Sequence, residues 1–395
     1  MINDKMFALG SKRSVIREIF EYSKKRSAEI GKDRVFDFSI GNPSVPAPKA
    51  VNKTVAKLLR QMDSVALHGY TSAQGDASVR RDIASSLNKR FNTDFCADNI
   101  YMTVGAAASV SICIKALCEK GDEFIVVAPF FPEYTVFIEA AGGKQVIVPA
   151  DEKAFQIDFT ALEKLITKHT KAIIINSPNN PSGAVYSENT IKKLASFLKK
   201  KSKENESPIF LISDEPYREI AYDGIVIPFV TKYYKDTLVC YSFSKALSLP
   251  GERIGYVLVP NEVSEAKSVY AAVCGAGRAL GYVCAPSMFQ FVVAECADMT
   301  SDISVYEKNR NILYSSLTEY GYDCVKPDGA FYLFVKALEA DASSFCERAK
   351  KYELLLVPSD SFGVKGYVRI AYCVAPETIK KSLPAFKSLA EEYAK

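Results

Sequence analysis

Seven short apolar runs recur between residues 100 and 260: IYMTV, FIVV, QVIVP, AIIIN, IFLIS, TLVCYS and IGYVLV. Runs of this length and apolarity read as buried strands of a largely parallel sheet, covered on both faces. Several segments between them carry helical signals. Thr160, followed by Glu163 ahead of an apolar-periodic stretch, has the pattern of a capping box. The order is therefore αβαβ, which places helices on both sides of one sheet.

Beyond about residue 286 the texture changes. Two long amphipathic helices, DISVYEKNRNILYSSLTEYG and PETIKKSLPAFKSLAEEYA, flank the strand-like runs FYLFV and YVRIAY, which suits a smaller α+β lobe. The first 45 or so residues hold one helical stretch and then the Pro-rich, extended FSIGNPSVPAP, a connector expected to cross between lobes. A chain of 395 residues is long for one core, so two lobes with a ligand cleft between them are expected. With 48% apolar residues, 24% charged residues and a formal charge of +4, the composition is that of a globular protein and gives no support to disorder or nucleic-acid binding. The basic run KKKSK at 199–203 reads as a solvated helix end. Charges interrupt every apolar stretch of the N-terminal segment, so neither a signal peptide nor a membrane span can be drawn and a cytoplasmic protein is expected. The ten cysteines are scattered without a C-x-x-C pair and read as reduced thiols. His68 and His169 are the only histidines, which leaves zinc hydrolysis and Ser-His-Asp catalysis poorly supplied.

In an open α/β sheet, ligands bind outside the carboxyl ends of the strands. Four residues follow apolar runs there: Gly105, Asn180, Asp214 and Lys245. Singly, a carboxylate or lysine at a strand end is more often a cap or a surface charge. Lys245 sits in YSFSKALSLPGERIGY with Ser242, Ser244 and, eight residues on, Arg253. A lysine nucleophile needs a neutral amine, and burial beside another cation lowers its pKa toward that state. Upstream, TVGAAASVSICIKAL passes from strand into helix through glycine and three alanines, leaving backbone N–H groups free of side-chain bulk as a phosphate seat. Small residues at that point equally suit a helix packed close to a sheet.

With these residues in view, the chain resembles the fold-type I, class I/II aminotransferases of the aspartate aminotransferase superfamily over nearly its whole length. The resemblance rests on S-x-S-K-A at 242–246 with Arg253 eight beyond the lysine, N-N-P-S-G at 179–183, S-D-E-P-Y at 213–217 and V-R-I at 368–370. It implies pyridoxal 5'-phosphate as cofactor, and the corresponding fold: a large domain with a mostly parallel seven-stranded sheet covered by helices, plus a smaller α+β domain. Lys245 would form the Schiff base and shuttle the proton at the substrate α-carbon. Asp214 would face the ring nitrogen and keep it protonated. Tyr217 and Asn180 would hydrogen-bond the ring 3-oxygen. The phosphate would meet Gly105, Ala106, Ala107, Ser242, Ser244 and Arg253, with Tyr70 reaching it from a partner subunit. Phe131 in APFFPEY would stack on the ring. Arg369 would grip the substrate carboxylate with two prongs, beside Gly41 in SIGNP and Asn180.

The same resemblance implies transfer of an amino group between an L-amino acid and a 2-oxo acid by a homodimer whose active site lies at the subunit interface. A large domain is expected at 50–286, and a small one from 1–49 and 287–395 with an N-terminal arm. Ala107 stands where some dicarboxylate-specific members carry a lysine, and Arg278 lies where others bring an arginine from the partner. Carbon-sulfur β-elimination on the same lysine is the alternative reaction. A regulator that senses the cofactor is a remote third, since only about 45 residues precede the domain and they show no winged-helix pattern.

Overall fold

The computed structural model describes residues 2–11 and 15–394. Met1, Lys12, Arg13, Ser14 and Lys395, which belong to the expected small domain, lie outside them. The apolar runs form one seven-stranded sheet of β2 (Ile100–Thr103), β3 (Glu123–Val127), β4 (Lys144–Val148), β5 (Thr170–Asn176), β6 (Phe210–Asp214), β7 (Thr237–Ser242) and β8 (Gly255–Leu258), following a short β1 (Phe36–Asp37). The spatial order is β2-β8-β7-β6-β5-β3-β4. Only β8 runs against the others, pairing antiparallel with β2 and β7.

Strand side chains alternate between the faces, and both faces are buried. Phe124 and Val126 of β3, with Ala172 and Ile174 of β5, pack into a core shared with the helix Ala106–Leu117. Their neighbours Ile125, Val127, Ile173 and Ile175 point the other way, against Ile191, Leu194 and Leu198 of the helix Glu188–Glu204. The helix Ala77–Phe91 shows the local logic. Val79, Ile83 and Leu87 recur every fourth residue on its buried face. The Asp76 carboxylate caps it by accepting from the N–H groups of Ser78 and Val79, and Asn92 ends it in the left-handed region at φ 51°.

A second set of strands follows residue 331: β9 (Tyr332–Lys336), β10 (Leu354–Leu355), β11 (Val357–Pro358) and β12 (Tyr367–Ala371), joined by β1 from the N-terminal part. They form the antiparallel sheet β11-β12-β9 and the parallel pair β1-β10. The helices Ser304–Glu319 and Pro376–Tyr393 contribute Tyr306, Leu313, Ile379 and Phe386 to the core there. The connector expected at FSIGNPSVPAP carries neither helix nor strand from Phe38 to Pro48 and bends at Ser39 and Val45. Phe38 is buried in this core, and its carbonyl accepts from the N–H of Ala371.

One local expectation is corrected. The helix Phe159–Leu165 is capped by Asp158, whose carboxylate accepts from the N–H groups of Thr160 and Ala161, so Thr160 is not the cap of a capping box. The acidic side chain two residues upstream reaches both first-turn donors and leaves Thr160 inside the helix. Near the N-terminus the described residues Asp4–Ser11 and Val15–Ile30 are helical, in the region where a helical stretch is expected. The run KKKSK forms the last turns of the helix Glu188–Glu204, with Lys199 and Lys200 exposed. All ten cysteines are free. Among the described residues, no helix is long and apolar enough to cross a membrane.

Candidate active site

The sheet register lines up the site. Asn176 and Asp214 are paired neighbours at the carboxyl ends of β5 and β6, and Ser242 at the end of β7 pairs with Gly255 of β8. A cavity of about 340 Å³ opens at this edge, as expected for a parallel sheet. It is lined by Gly41, Ala106, Ala107, Phe131, Asn180, Asp214, Tyr217, Ser242, Ser244, Lys245, Arg253 and Arg369. Twelve residues predicted from separate motifs thus meet in one space. Tyr70 does not join them: it is 91% exposed on this chain. Arg278, at the end of the helix Ala266–Ala279, is exposed and also outside the cavity.

Lys245 sits on a single helical turn, Phe243–Ala246, that directly follows β7. Its Nζ donates to the carbonyl of Gly41 at 2.7 Å. Burial lowers its pKa to about 8, and the charges of Arg253 and Arg369 push the same way while Cys373 opposes them. A substantial neutral fraction near pH 8 follows, which is what a nucleophilic or basic amine requires.

Asp214 is buried, and desolvation raises its carboxyl to about 7 against the bond from Tyr134, which lowers it. Tyr134 donates to Oδ2 at 2.5 Å. Oδ1 is buried with no hydrogen-bond partner. An orphaned carboxylate oxygen facing a cavity fits a cationic N–H donor from a ligand, because a buried acid is costly unless paired.

Gly105 precedes the helix Ala106–Leu117 at φ +94°, a region that side chains disfavour. A Cβ there would stand 2.7 Å from Nη2 of Arg253. The helix start, Arg253 and the hydroxyls of Ser242 and Ser244, 2.8 Å apart, form a small, donor-rich cradle suited to a phosphate. Arg253 donates from Nη1 to Ser244 Oγ at 3.4 Å and to the carbonyl of Pro250 at 3.0 Å. Arg369 is buried. Its Nη1 donates to Asn180 Oδ1 at 3.1 Å and its Nη2 to the carbonyl of Ser39 at 2.5 Å, while Nε has no partner.

Three polar lining residues lie inside runs quoted above but have no role assigned there: Asn176 in AIIIN, Tyr134 in APFFPEY and Tyr332 in FYLFV. The Asn176 side chain accepts from the N–H of Asn180 at 2.7 Å and donates to the carbonyl of Asp214 at 2.8 Å, locking two predicted residues together. Its signal was available, as the polar last residue of the run AIIIN. Tyr134 lies three residues beyond Phe131, and the two rings meet edge to face. Among the described residues, no cluster of His, Cys, Asp and Glu is arranged to hold a metal.

The sequence pattern of the family described as Aminotransferase class I and II matches residues 33–386. The chain is 63% identical to an aminotransferase from Eubacterium rectale of known crystal structure, with each chain covered in full and a TM-score of 0.98. It is 27% identical to the aspartate aminotransferase of Thermotoga maritima, covering 96% of this chain and 98% of that one at a TM-score of 0.85. An aromatic-amino-acid aminotransferase of Thermococcus litoralis is 29% identical, with 96% of each chain covered.

Proposed function

The chain belongs to the class I and II aminotransferases, enzymes that depend on pyridoxal phosphate, and from that premise we propose that Lys245, Asp214 and Arg369 carry out the amino transfer in the cavity described above. The observation that carries the reading is the joint presence of a pKa-lowered amine, a carboxylate with one orphaned oxygen and a buried guanidinium around one space. Bound there, the cofactor supplies an aldehyde carbon for an amine and a ring that draws off the electrons released at the substrate α-carbon.

The side chains divide the remaining work. Lys245 Nζ tethers the cofactor and, once free, moves the proton released at the substrate α-carbon. Asp214 Oδ1 holds a proton on the ring nitrogen, and Tyr134 and Asn176 hold Asp214. Tyr217 and Asn180 serve the ring 3-oxygen, while Phe131 covers the ring face. Arg253, Ser242, Ser244 and the N–H groups after Gly105 hold the phosphate. Arg369 binds the α-carboxylate, with Gly41 leaving room beside it. Tyr70 completes the phosphate site from a second subunit, so the working form is a homodimer, in the cytoplasm. The large domain spans 50–286, and 1–49 with 287–395 form the small one.

Names among the relatives favour amino transfer over the β-elimination alternative. Incubation of the purified enzyme with a panel of L-amino acids and 2-oxoglutarate is expected to yield glutamate. Pyruvate and ammonia from cystathionine, without glutamate from any donor, would overturn the assignment.

A further inference from the structure

Tyr332 opens β9, in the three-stranded sheet β11-β12-β9, yet it lines the cavity. It touches three site residues at once. Its hydroxyl lies 2.9 Å from that of Tyr217. Its ring lies beneath Arg369, whose guanidinium carbon is 4.8 Å from the ring centroid. A methyl group on Gly41 would stand 1.9 Å from its hydroxyl oxygen, so residue 41 has to be glycine for Tyr332 to hold this place.

A tyrosine hydroxyl has one proton to give and can accept as well. If Tyr217 donates to Tyr332, its one proton is spent and Tyr217 has none for a ligand. If Tyr332 donates, the proton of Tyr217 is freed toward the cavity and strengthened as a donor, because chained hydrogen bonds polarise one another. Burial raises the pKa of both phenols, Tyr332 to about 12 and Tyr217 well above its ordinary value, so both keep their protons at neutral pH. Arg369 has its own need: with Nε unpartnered, the plane of its guanidinium depends on two Nη bonds and on two rings packed against it, Tyr332 at 4.8 Å and Phe362 at 5.2 Å.

We propose that Tyr332 is a positioning residue of the reaction: its hydroxyl turns the proton of Tyr217 toward the cofactor's 3-oxygen, and its ring holds Arg369 at the angle that grips the α-carboxylate. The proposal rests on the roles given above to Tyr217 and Arg369. It links the cofactor contact and the substrate contact through one side chain that both require.

The test uses the holoenzyme and three variants, Tyr217→Phe, Tyr332→Phe and Tyr332→Leu. The readouts are the midpoint of the pH titration of the bound cofactor's visible absorbance and the KM for 2-oxoglutarate. Tyr217→Phe removes the donor to the 3-oxygen and is expected to raise the midpoint, since the negative oxygen then holds the neighbouring proton more firmly. Tyr332→Phe keeps the ring and its packing. It should raise the midpoint in the same direction by less, and leave KM within about twofold. Tyr332→Leu should raise the midpoint and also raise KM about tenfold or more. A wild-type midpoint in Tyr332→Phe beside a raised one in Tyr217→Phe overturns the proposal and spares the reading of Tyr217. A wild-type KM in Tyr332→Leu overturns it too. An unmoved midpoint in Tyr217→Phe removes the reading of Tyr217, and the proposal with it.

Discussion

A buried acid with one bare oxygen is the clearest liability in the cofactor-free chain. Asp214 titrates near 7 in the fold against an ordinary value of 3.8, so between those values the folded chain binds a proton that the unfolded chain releases. Stability therefore falls as pH rises from about 4 through 7, by an amount on the order of 4 kcal/mol, since each tenfold difference in proton affinity is worth about 1.4 kcal/mol. Asp214→Asn should flatten this slope in denaturant melts of the cofactor-free protein, and lower kcat of the holoenzyme about a hundredfold or more. A melt profile with the wild-type slope would show that Asp214 is not the titrating group. Residues of this kind were legible in the sequence because each is polar and follows an apolar run: Asp214 after IFLIS, Lys245 after TLVCYSF. Tyr134 and Tyr332 were not. Both are aromatic within otherwise apolar segments, where a core role is the ordinary expectation, and only packing decides where a hydroxyl points.

The element that matters most is the helix Ala106–Leu117, because its start is the phosphate seat. Gly105 holds it at φ +94°, with Arg253 packed where a Cβ would be. Gly105→Ala brings backbone strain of about 1–3 kcal/mol and displaces the guanidinium. The expected outcome is weaker cofactor binding by about tenfold or more, read by equilibrium dialysis, with the fold retained by circular dichroism. Unchanged affinity would move the phosphate elsewhere. The strand content of this region was legible because seven apolar runs between turn signals leave few alternatives. Helix ends were less so: Asp158 and Thr160 are both good caps by type, and the choice between them depends on which carboxylate or hydroxyl faces the first-turn N–H groups.

At the scale of the whole molecule, the fold is incomplete as a catalyst if Tyr70 serves the phosphate, since on a single chain Tyr70 stands 91% exposed and Val65, close by in sequence, 80%. Sedimentation equilibrium should give twice the 43.5 kDa of the chain, and Tyr70→Phe should keep that mass while weakening cofactor affinity. An active enzyme that sediments as a single chain would contradict the dimer. Nothing in the periodicity or composition of one chain announces a partner. That expectation came from the resemblance alone, whereas a second set of strands and helices apart from the large sheet could be read from the change in texture near residue 286. The apolar packing is continuous across it, with Phe334, Leu355 and Phe362 sharing a core with the face of the large sheet.

Every role assigned in the cavity depends on the amine of Lys245 as the cofactor's covalent anchor. Reduction of the holoenzyme with borohydride, followed by peptide mapping by mass spectrometry, tests it most directly. The mass of one reduced cofactor per chain should appear on the peptide that contains Lys245, and Lys245→Ala should carry none. Label on another lysine, or no label on a chain that still transfers amino groups, would contradict it.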